Sequence, residues 1–135
     1  MAMCGYIAYY ALRHLMRQGK IRYFGVSNYR AWRVAEICNI CDDNGIDRPI
    51  VSQPYYNAMN RMPEVEHFPA CGYYGLGIVP YSPLARGVLT GKYKRGVDAP
   101  AGSRLAAQPD RMAEADIDTI EALEKFAADR GVSML

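Results

Sequence analysis

Three short apolar runs in this sequence each end at polar side chains, and they recur at nearly equal intervals. The runs occupy residues 23–28, 50–53 and 77–82, and their polar ends include Ser27, Gln53 and Tyr81. Ser27 and Gln53 are 26 residues apart, and Gln53 and Tyr81 are 28 apart. A strand, a crossover helix and two loops need about this length. The spacing therefore predicts consecutive βα units, with these polar groups gathered at the carboxyl ends of parallel strands.

Helical periodicity lies between and around these runs. The predicted helices cover about residues 6–18, 31–43, 63–74 and 113–130, and they end at or next to Gly19, Gly45, Gly75 and Gly131. In the second helix, Trp32, Ile37 and Ile40 keep the spacing of one apolar face. Residues 83–109 have no periodicity and several glycines and prolines. An irregular stretch of this length in a compact domain is usually functional or disordered.

Composition narrows the class of protein. The chain has 135 residues, the usual size of one domain, and half of them are hydrophobic but too scattered for a membrane span. We find no pattern of a signal peptide near the amino terminus. A net charge of +2 with interspersed signs argues against a nucleic-acid partner. Four cysteines in a βα pattern do not indicate a secreted disulfide framework, so we expect a cytoplasmic protein.

Several residues that could carry chemistry are better explained by structure. Cys38 and Cys41 form a C-x-x-C pair in the middle of a predicted helix, whereas redox-active pairs lie at helix amino termini, so we expect buried packing. The other two cysteines lack metal-ligand spacing, and we predict no metal site. We interpret His67, beside Glu64 and Glu66, as part of a solvated first helical turn.

Three strands leave two architectures open. A sheet of three parallel strands has two free edges, and a closed eight-stranded barrel typically needs about 250 residues. The chain is therefore either a small open-sheet domain or part of a barrel.

Three segments decide between these architectures because they resemble the aldo-keto reductases in order and spacing. Residues 19–28, GKIRYFGVSN, are similar to the fifth-strand motif of that family. The sequence QPYYN from Gln53, followed by Arg61 and Glu66, resembles the sixth-strand segment. Residues 81–93, YSPLARGVLTGKY, resemble the seventh strand and the cofactor loop, most closely those of the bacterial and potassium-channel-β-like branch. The similarity runs from about residue 11 to the end.

The resemblance implies a partial (β/α)₈ barrel, about strands five to seven with their helices, in a single domain that binds NADP(H). It implies that Ser27, Asn28 and Gln53 hydrogen-bond the nicotinamide carboxamide and that Tyr81 stacks on the nicotinamide ring. It also implies that a loop runs along the pyrophosphate, formed by Ser82, Pro83, Leu84, Ala85 and Gly87. By the same resemblance, Lys92 lies at the phosphate end of the cofactor and Arg104 contacts the 2′-phosphate.

The catalytic aspartate, tyrosine, lysine and histidine of the family come from its first four βα units, so we assign no catalytic residue in this chain. The eighth strand of the barrel is expected past Leu135, and the start of the chain fits the family poorly. We therefore expect a fragment of an NADP(H)-dependent reductase of small aldehydes or ketones, inactive by itself. Two other hypotheses stay open: a non-catalytic NADP(H)-binding regulatory or interaction module, and a truncated product without a stable fold.

Overall fold

The computed structural model describes residues 3–108 and 117–134, in two compact units that divide after Tyr81. Its elements are, in chain order, α1 (Met3–Arg17), β1 (Gly25–Ser27), α2 (Ala31–Asp43), β2 (Val51–Gln53), a 3₁₀ turn (Met62–Glu64), α3 (His67–Tyr74), β3 (Gly77–Ile78), a second 3₁₀ segment (Ala85–Thr90) and α4 (Ile117–Ala128). Helices and strands alternate along the first unit, which confirms the predicted α/β class. The predicted start of the last helix, at 113–116, lies outside the described residues.

The three strands form one parallel sheet in the order β1-β2-β3. Ser27 lies opposite Gln53 in the first ladder, and Ser52 lies opposite Ile78 in the second. Val26 and Ser52 are buried, whereas Ser27 and Gln53 are exposed. Because side chains alternate along a strand, Ser27 and Gln53 share one face of the sheet.

The strands are shorter than the apolar runs predict. Pro54 follows β2 directly, and only Val79 separates Pro80 from the end of β3. Neither proline has an N–H group to donate to a ladder. Pairing nevertheless continues as single hydrogen bonds. The N–H of Val79 donates to the Ser52 carbonyl at 2.9 Å, and that of Tyr81 donates to the Pro54 carbonyl at 3.0 Å.

The core of the first unit lies between the helices and the buried face of the sheet. It contains Tyr9, Val26, Val34, Ile37, Cys38, Ile40, Cys41, Cys71 and Leu76. The placement of Trp32 on the buried face of α2 is wrong, because its side chain is 62% exposed and packs under the Arg33 guanidinium. Trp32 precedes the buried Val34 by two residues, which rotates it by about 200° around the helix.

The prediction of one continuous helix over 63–74 is also wrong. Pro63 belongs to the 3₁₀ turn, and α3 begins only at His67. Between them, Glu66 has a φ of −131°, far from the helical value of about −63°, and this breaks the helical path. Glu64 accepts hydrogen bonds from Arg61 at 2.8 Å and from Tyr56 at 2.7 Å, which hold the turn in place of helical bonds.

The second unit has a core of its own. Val88, Tyr93, Leu105 and Ile120 pack together there. On the surface, Lys94 pairs with Glu124 at 2.6 Å, and Arg95 pairs with Asp118 and Glu121 of the same helix, α4. No helix in the described part of the chain is both long and apolar enough to cross a lipid bilayer.

Candidate functional site

The carboxyl ends of β1 and β2 bring together three polar residues predicted from the sequence. The backbone carbonyl of Gln53 accepts two hydrogen bonds, one from Ser27 Oγ at 3.0 Å and one from the Asn28 N–H at 3.1 Å. Asn28 has a positive φ of 55°, a conformation that asparagine tolerates better than most residues. These bonds fix Ser27 and Asn28 beside Gln53 at the rim of the sheet.

The three side chains keep hydrogen-bonding capacity for a ligand. The proton of the Ser27 hydroxyl is committed to the Gln53 carbonyl, so this oxygen remains an acceptor. The Asn28 Nδ2 donates only a long bond of 3.4 Å, to Ser27 Oγ. Among the described residues, none forms a hydrogen bond with the Gln53 side-chain amide. The set offers donors and acceptors together, which is what a carboxamide ligand requires.

An aromatic pair lies beside this rim. Tyr55 and Tyr81 form a parallel bridge beyond the ends of β2 and β3. Their ring centroids are 5.3 Å apart and tilted by 36°, and each residue is 40% exposed. The neighbouring ring and the backbone bond to Pro54 hold Tyr81 in place, so its exposed ring can stack on a flat ligand.

Tyr55 was missed by the sequence reasoning. It follows Gln53 by two residues, and residues at that spacing lie on the same face of a strand. The alternation of side chains along a strand is therefore the sequence signal that predicts Tyr55 beside Gln53.

In the second unit, the predicted pyrophosphate loop has an unusual backbone. Four residues from Ser82 to Gly87 have positive φ, namely Ser82 at 57°, Ala85 at 46°, Arg86 at 60° and Gly87 at 91°. The Ala85 N–H donates to the Ser82 carbonyl at 3.0 Å, and the Gly87 N–H donates to the Leu84 carbonyl at 2.8 Å. Left-handed residues next to right-handed ones can form a concavity that suits anions, although the N–H groups of Ala85 and Gly87 are already used within this turn. Pro83 and Leu84 are exposed in this turn.

Lys92 lies directly over Gly87. A Cβ at position 87 would meet the Lys92 Cε and Nζ atoms at 2.8 Å, closer than real Cβ contacts allow. The ammonium also lies 5.2 Å from the centre of the Tyr93 ring. The absence of a side chain at Gly87 therefore lets a positive charge sit against the turn, as a phosphate site needs.

Arg104 is exposed on a later turn of the second unit. Its neighbour Leu105 donates its N–H to the Tyr93 hydroxyl at 3.3 Å, and that hydroxyl donates a long bond of 3.5 Å to the Arg86 carbonyl. Tyr93 thus connects the turn that carries Arg104 to the loop around Gly87.

His67 is placed differently from the sequence interpretation. It is buried rather than solvated, and its Nε2 lies 3.0 Å from Ser52 Oγ and 3.5 Å from Cys71 Sγ. Burial lowers the pKa of the imidazole below its ordinary 6.5, and the Tyr29 backbone partly opposes that change. His67 therefore joins α3 to the buried face of β2 and is not a surface acid–base group.

Three cysteines of the first unit are unreactive because of their environment. Cys38, Cys41 and Cys71 are buried and unpaired. Burial raises the pKa of Cys38 and Cys41 to about 11, so both stay protonated at neutral pH. The described residues contain no group of three or more acidic, histidine or cysteine side chains arranged to hold a metal ion.

Comparison with known proteins identifies the family. The model of the aldo/keto reductase family matches residues 8–135. The chain therefore belongs to the aldo/keto reductase family.

Particular relatives are similar to parts of the chain. It is 48% identical over 85 residues to human aflatoxin B1 aldehyde reductase member 2, covering 63% of this chain and 24% of that protein. It is 49% identical over 84 residues to human aldo-keto reductase family 7 member A3, covering 62% of this chain and 25% of that protein. It is 34% identical over 131 residues to a probable voltage-gated potassium channel subunit beta of rice, covering 92% of this chain and 40% of that protein. The chain thus spans about a quarter of the length of the aldehyde reductases that it matches.

Proposed function

We propose that this chain supplies the nicotinamide-binding and pyrophosphate-binding parts of an NADP(H)-dependent aldo-keto reductase that reduces small aldehydes or ketones to alcohols. The observation that carries the proposal is the rim formed by Ser27, Asn28 and Gln53, where register pairing and two hydrogen bonds to one carbonyl assemble a carboxamide-binding set. The aldehyde reductases among the relatives favour a carbonyl substrate.

The residues present fit the proposed cofactor in both units. In the first, the exposed ring of Tyr81 beside the polar rim suits a flat heteroaromatic ring attached to an amide. In the second, the left-handed turn at Ala85 and Gly87, with Lys92 above it, suits a pyrophosphate. Arg104 is our candidate for the 2′-phosphate, because guanidinium groups bind phosphates in a bidentate manner.

The chemistry divides between this chain and residues outside it. When bound, NADPH would supply the hydride for carbonyl reduction. In our proposal Ser27, Asn28 and Gln53 hold the carboxamide and Tyr81 covers one ring face, so these residues orient the cofactor. None of them is proposed to donate the proton, a role that we assign to a tyrosine outside this chain.

We further propose that β1, β2 and β3 correspond to strands five to seven of an eight-stranded barrel. Parallel sheets are normally covered on both faces. Here α2 and α3 cover only one face, and Val79, on the face shared by Gln53, is 50% exposed. A barrel interior would account for such apolar exposure. The three unpaired thiols among the described residues suit our proposal of a cytoplasmic location.

Titration of the chain with NADPH, followed by cofactor fluorescence, tests the proposal. We expect saturable binding and no measurable oxidation of NADPH with a reactive aldehyde, because loss of a positioned acid alone costs about 10²–10⁴-fold in rate. Gln53→Ala should weaken binding by about 3- to 10-fold, as the loss of one or two hydrogen bonds implies. Gln108→Ala, on an exposed turn, is the matched control and should change nothing. Equal affinities for both variants would refute the assigned rim.

A second function is favoured by one observation. The rice potassium channel subunit beta covers more of this chain than the aldehyde reductases do. A non-catalytic NADP(H)-binding regulatory module is therefore the alternative. The two proposals differ once the chain is supplied within a longer protein that includes an upstream acid: turnover of an aldehyde supports the reductase, and tight cofactor binding without turnover supports the module.

A further inference from the structure

A cleft of about 490 Å³ lies at the amino-terminal side of the sheet, away from the rim of Ser27 and Gln53. Its walls come from the last turns of α1, the segment that leads into β1 and the turn after α2. Arg13, Arg17 and Arg22 line it, and Asp47 is the acidic residue among its lining. Three positive charges against one negative charge leave the cleft with a local charge of about +2.

Among the described residues, half of the other arginines have a carboxylate partner, and Arg30, Arg86, Arg104 and Arg130 have none. Arg48, Arg61 and Arg95 each form ion pairs with nearby carboxylates. Arg13, Arg17 and Arg22 form none within the described residues. What distinguishes these three is that they line one cleft, whose lining includes a single carboxylate, that of Asp47.

Local geometry adds to the imbalance. Arg13 and Arg17 are one helical turn apart, where like charges repel. The Nε of Arg13 is buried and has no hydrogen-bond partner among the described residues, and the same holds for the hydroxyl of Tyr9 one turn earlier. Both arginines lie close enough to Tyr9 to oppose the rise in its pKa that burial causes. An anion in the cleft would relieve the repulsion and accept hydrogen bonds from the guanidinium groups that line it.

We propose that this cleft is a second ligand site, which binds a small dianionic phosphate group through Arg13, Arg17 and Arg22. Guanidinium groups match phosphate oxygens with paired, charge-assisted hydrogen bonds, and a phosphomonoester dianion balances the local charge. The cleft has room for more than inorganic phosphate, and its wide opening admits either a soluble phosphate ester or a phospholipid headgroup, which share the same phosphate chemistry. The inference does not depend on the proposed cofactor site.

Nuclear magnetic resonance of the ¹⁵N-labelled chain, titrated with glycerol 3-phosphate at pH 8 and constant ionic strength, tests the proposal. We expect saturable shifts of the amides of residues 19–23 and 45–47. Arg22→Gln and Arg17→Gln should each weaken this binding by about tenfold or more, because each removes a charge-assisted bond. Arg33→Gln is the matched control and should leave the affinity unchanged, since Arg33 pairs with Glu36 on α2. At the partly buried position 13, a neutral substitution could prevent folding. Arg13→Lys is the variant for that case, because it keeps the positive charge.

The pattern of shifts separates this site from the cofactor site. Shifts confined to residues 84–92 would overturn the second site and leave the cofactor proposal intact. Shifts that grow linearly with concentration, or an equal loss in Arg33→Gln, would also overturn it. Vesicles of phosphatidylcholine with phosphatidic acid are the second arm. Binding to them with no response to the soluble ester would support the phosphate site but assign it to a lipid headgroup.

Discussion

At the scale of single residues, positive φ angles distinguish the loop of the second unit. Ser82, Ala85 and Arg86 are not glycines, yet each adopts the left-handed region, where non-glycine residues are uncommon. Such conformations cost about 1–3 kcal/mol each and persist where surrounding structure determines them. Tyr93, buried and bonded to Leu105, provides part of that support. The strain is therefore concentrated where we place the phosphates.

Replacement of Gly87 by alanine tests this loop. An alanine at this φ of 91° would be strained, and its Cβ would lie only 2.8 Å from the Lys92 Cε and Nζ atoms. The lysine side chain would therefore have to move. We expect the free energy of unfolding to fall by about 1–2 kcal/mol from the left-handed strain alone, with a larger loss if Lys92 cannot move. NADPH affinity should fall as well. Chemical denaturation and cofactor titration measure the two effects.

Gly96→Ala is the matched control for Gly87→Ala. Gly96 also has a positive φ, of 67°, but a Cβ added there would meet no atom of a non-adjacent residue within 4 Å. Its replacement should cost about the same backbone strain and leave cofactor affinity unchanged. If both variants bind NADPH equally well, Lys92 and Gly87 do not form the phosphate site.

At the scale of elements, the joint between β2 and α3 depends on one buried polar contact. Ser52 and His67 come from adjacent elements, and both are buried around a 3.0 Å hydrogen bond. Since burial disfavours the charged imidazole, the folded state holds His67 neutral. The joint is therefore sensitive to acid.

We expect the free energy of unfolding to fall as the pH drops from about 7 to 5.5. The unfolded chain binds a proton on His67 with a pKa of about 6.5, whereas the folded chain resists that proton because its pKa is lower. The stability is thus fully present above pH 6.5 and is lost as the pH falls towards the folded pKa. Denaturation with urea at a series of pH values measures this slope.

The chain contains two histidines, so the other one is the natural control. His67→Gln should remove the slope between pH 7 and 5.5. His14→Gln should retain it, because His14 is exposed on α1. A slope that disappears in His14→Gln instead would show that the acid sensitivity does not come from the β2–α3 joint.

At the scale of the whole molecule, each unit has its own hydrophobic core. Ile40 is buried in the core of the first unit, and Leu105 is buried in that of the second. The proposed cofactor residues divide between the units in the same way, with Ser27, Asn28, Gln53 and Tyr81 in the first and the others in the second. A mutation in one core should therefore affect one set of these residues.

Alanine substitutions in the two cores test that division. Ile40→Ala and Leu105→Ala should each cost about 2–5 kcal/mol in the unit that contains them. Native-state hydrogen exchange should show faster exchange of the Gly77 amide in the first variant and of the Leu89 amide in the second. Uniform acceleration of both amides in both variants would contradict two separate cores.

The sequence by itself determined the periodic features of this protein. Residues 31–43 are a helix as predicted, because their apolar spacing and the Asn44-Gly45 stop are local signals. The parallel order of the strands followed from the spacing of Ser27, Gln53 and Tyr81, since a crossover helix requires that length. The motifs also identified the family correctly.

Only the tertiary structure decided where ambiguous side chains lie. The exposure of Trp32 and the burial of His67 depend on which neighbours reach them, and local periodicity does not encode those neighbours. The contact of Lys92 with Gly87 depends on backbone angles that several residue types can adopt. The three arginines of the cleft are close in sequence, but its other wall comes from residues 45–47, so the cleft required the packing of the turn after α2 beside α1.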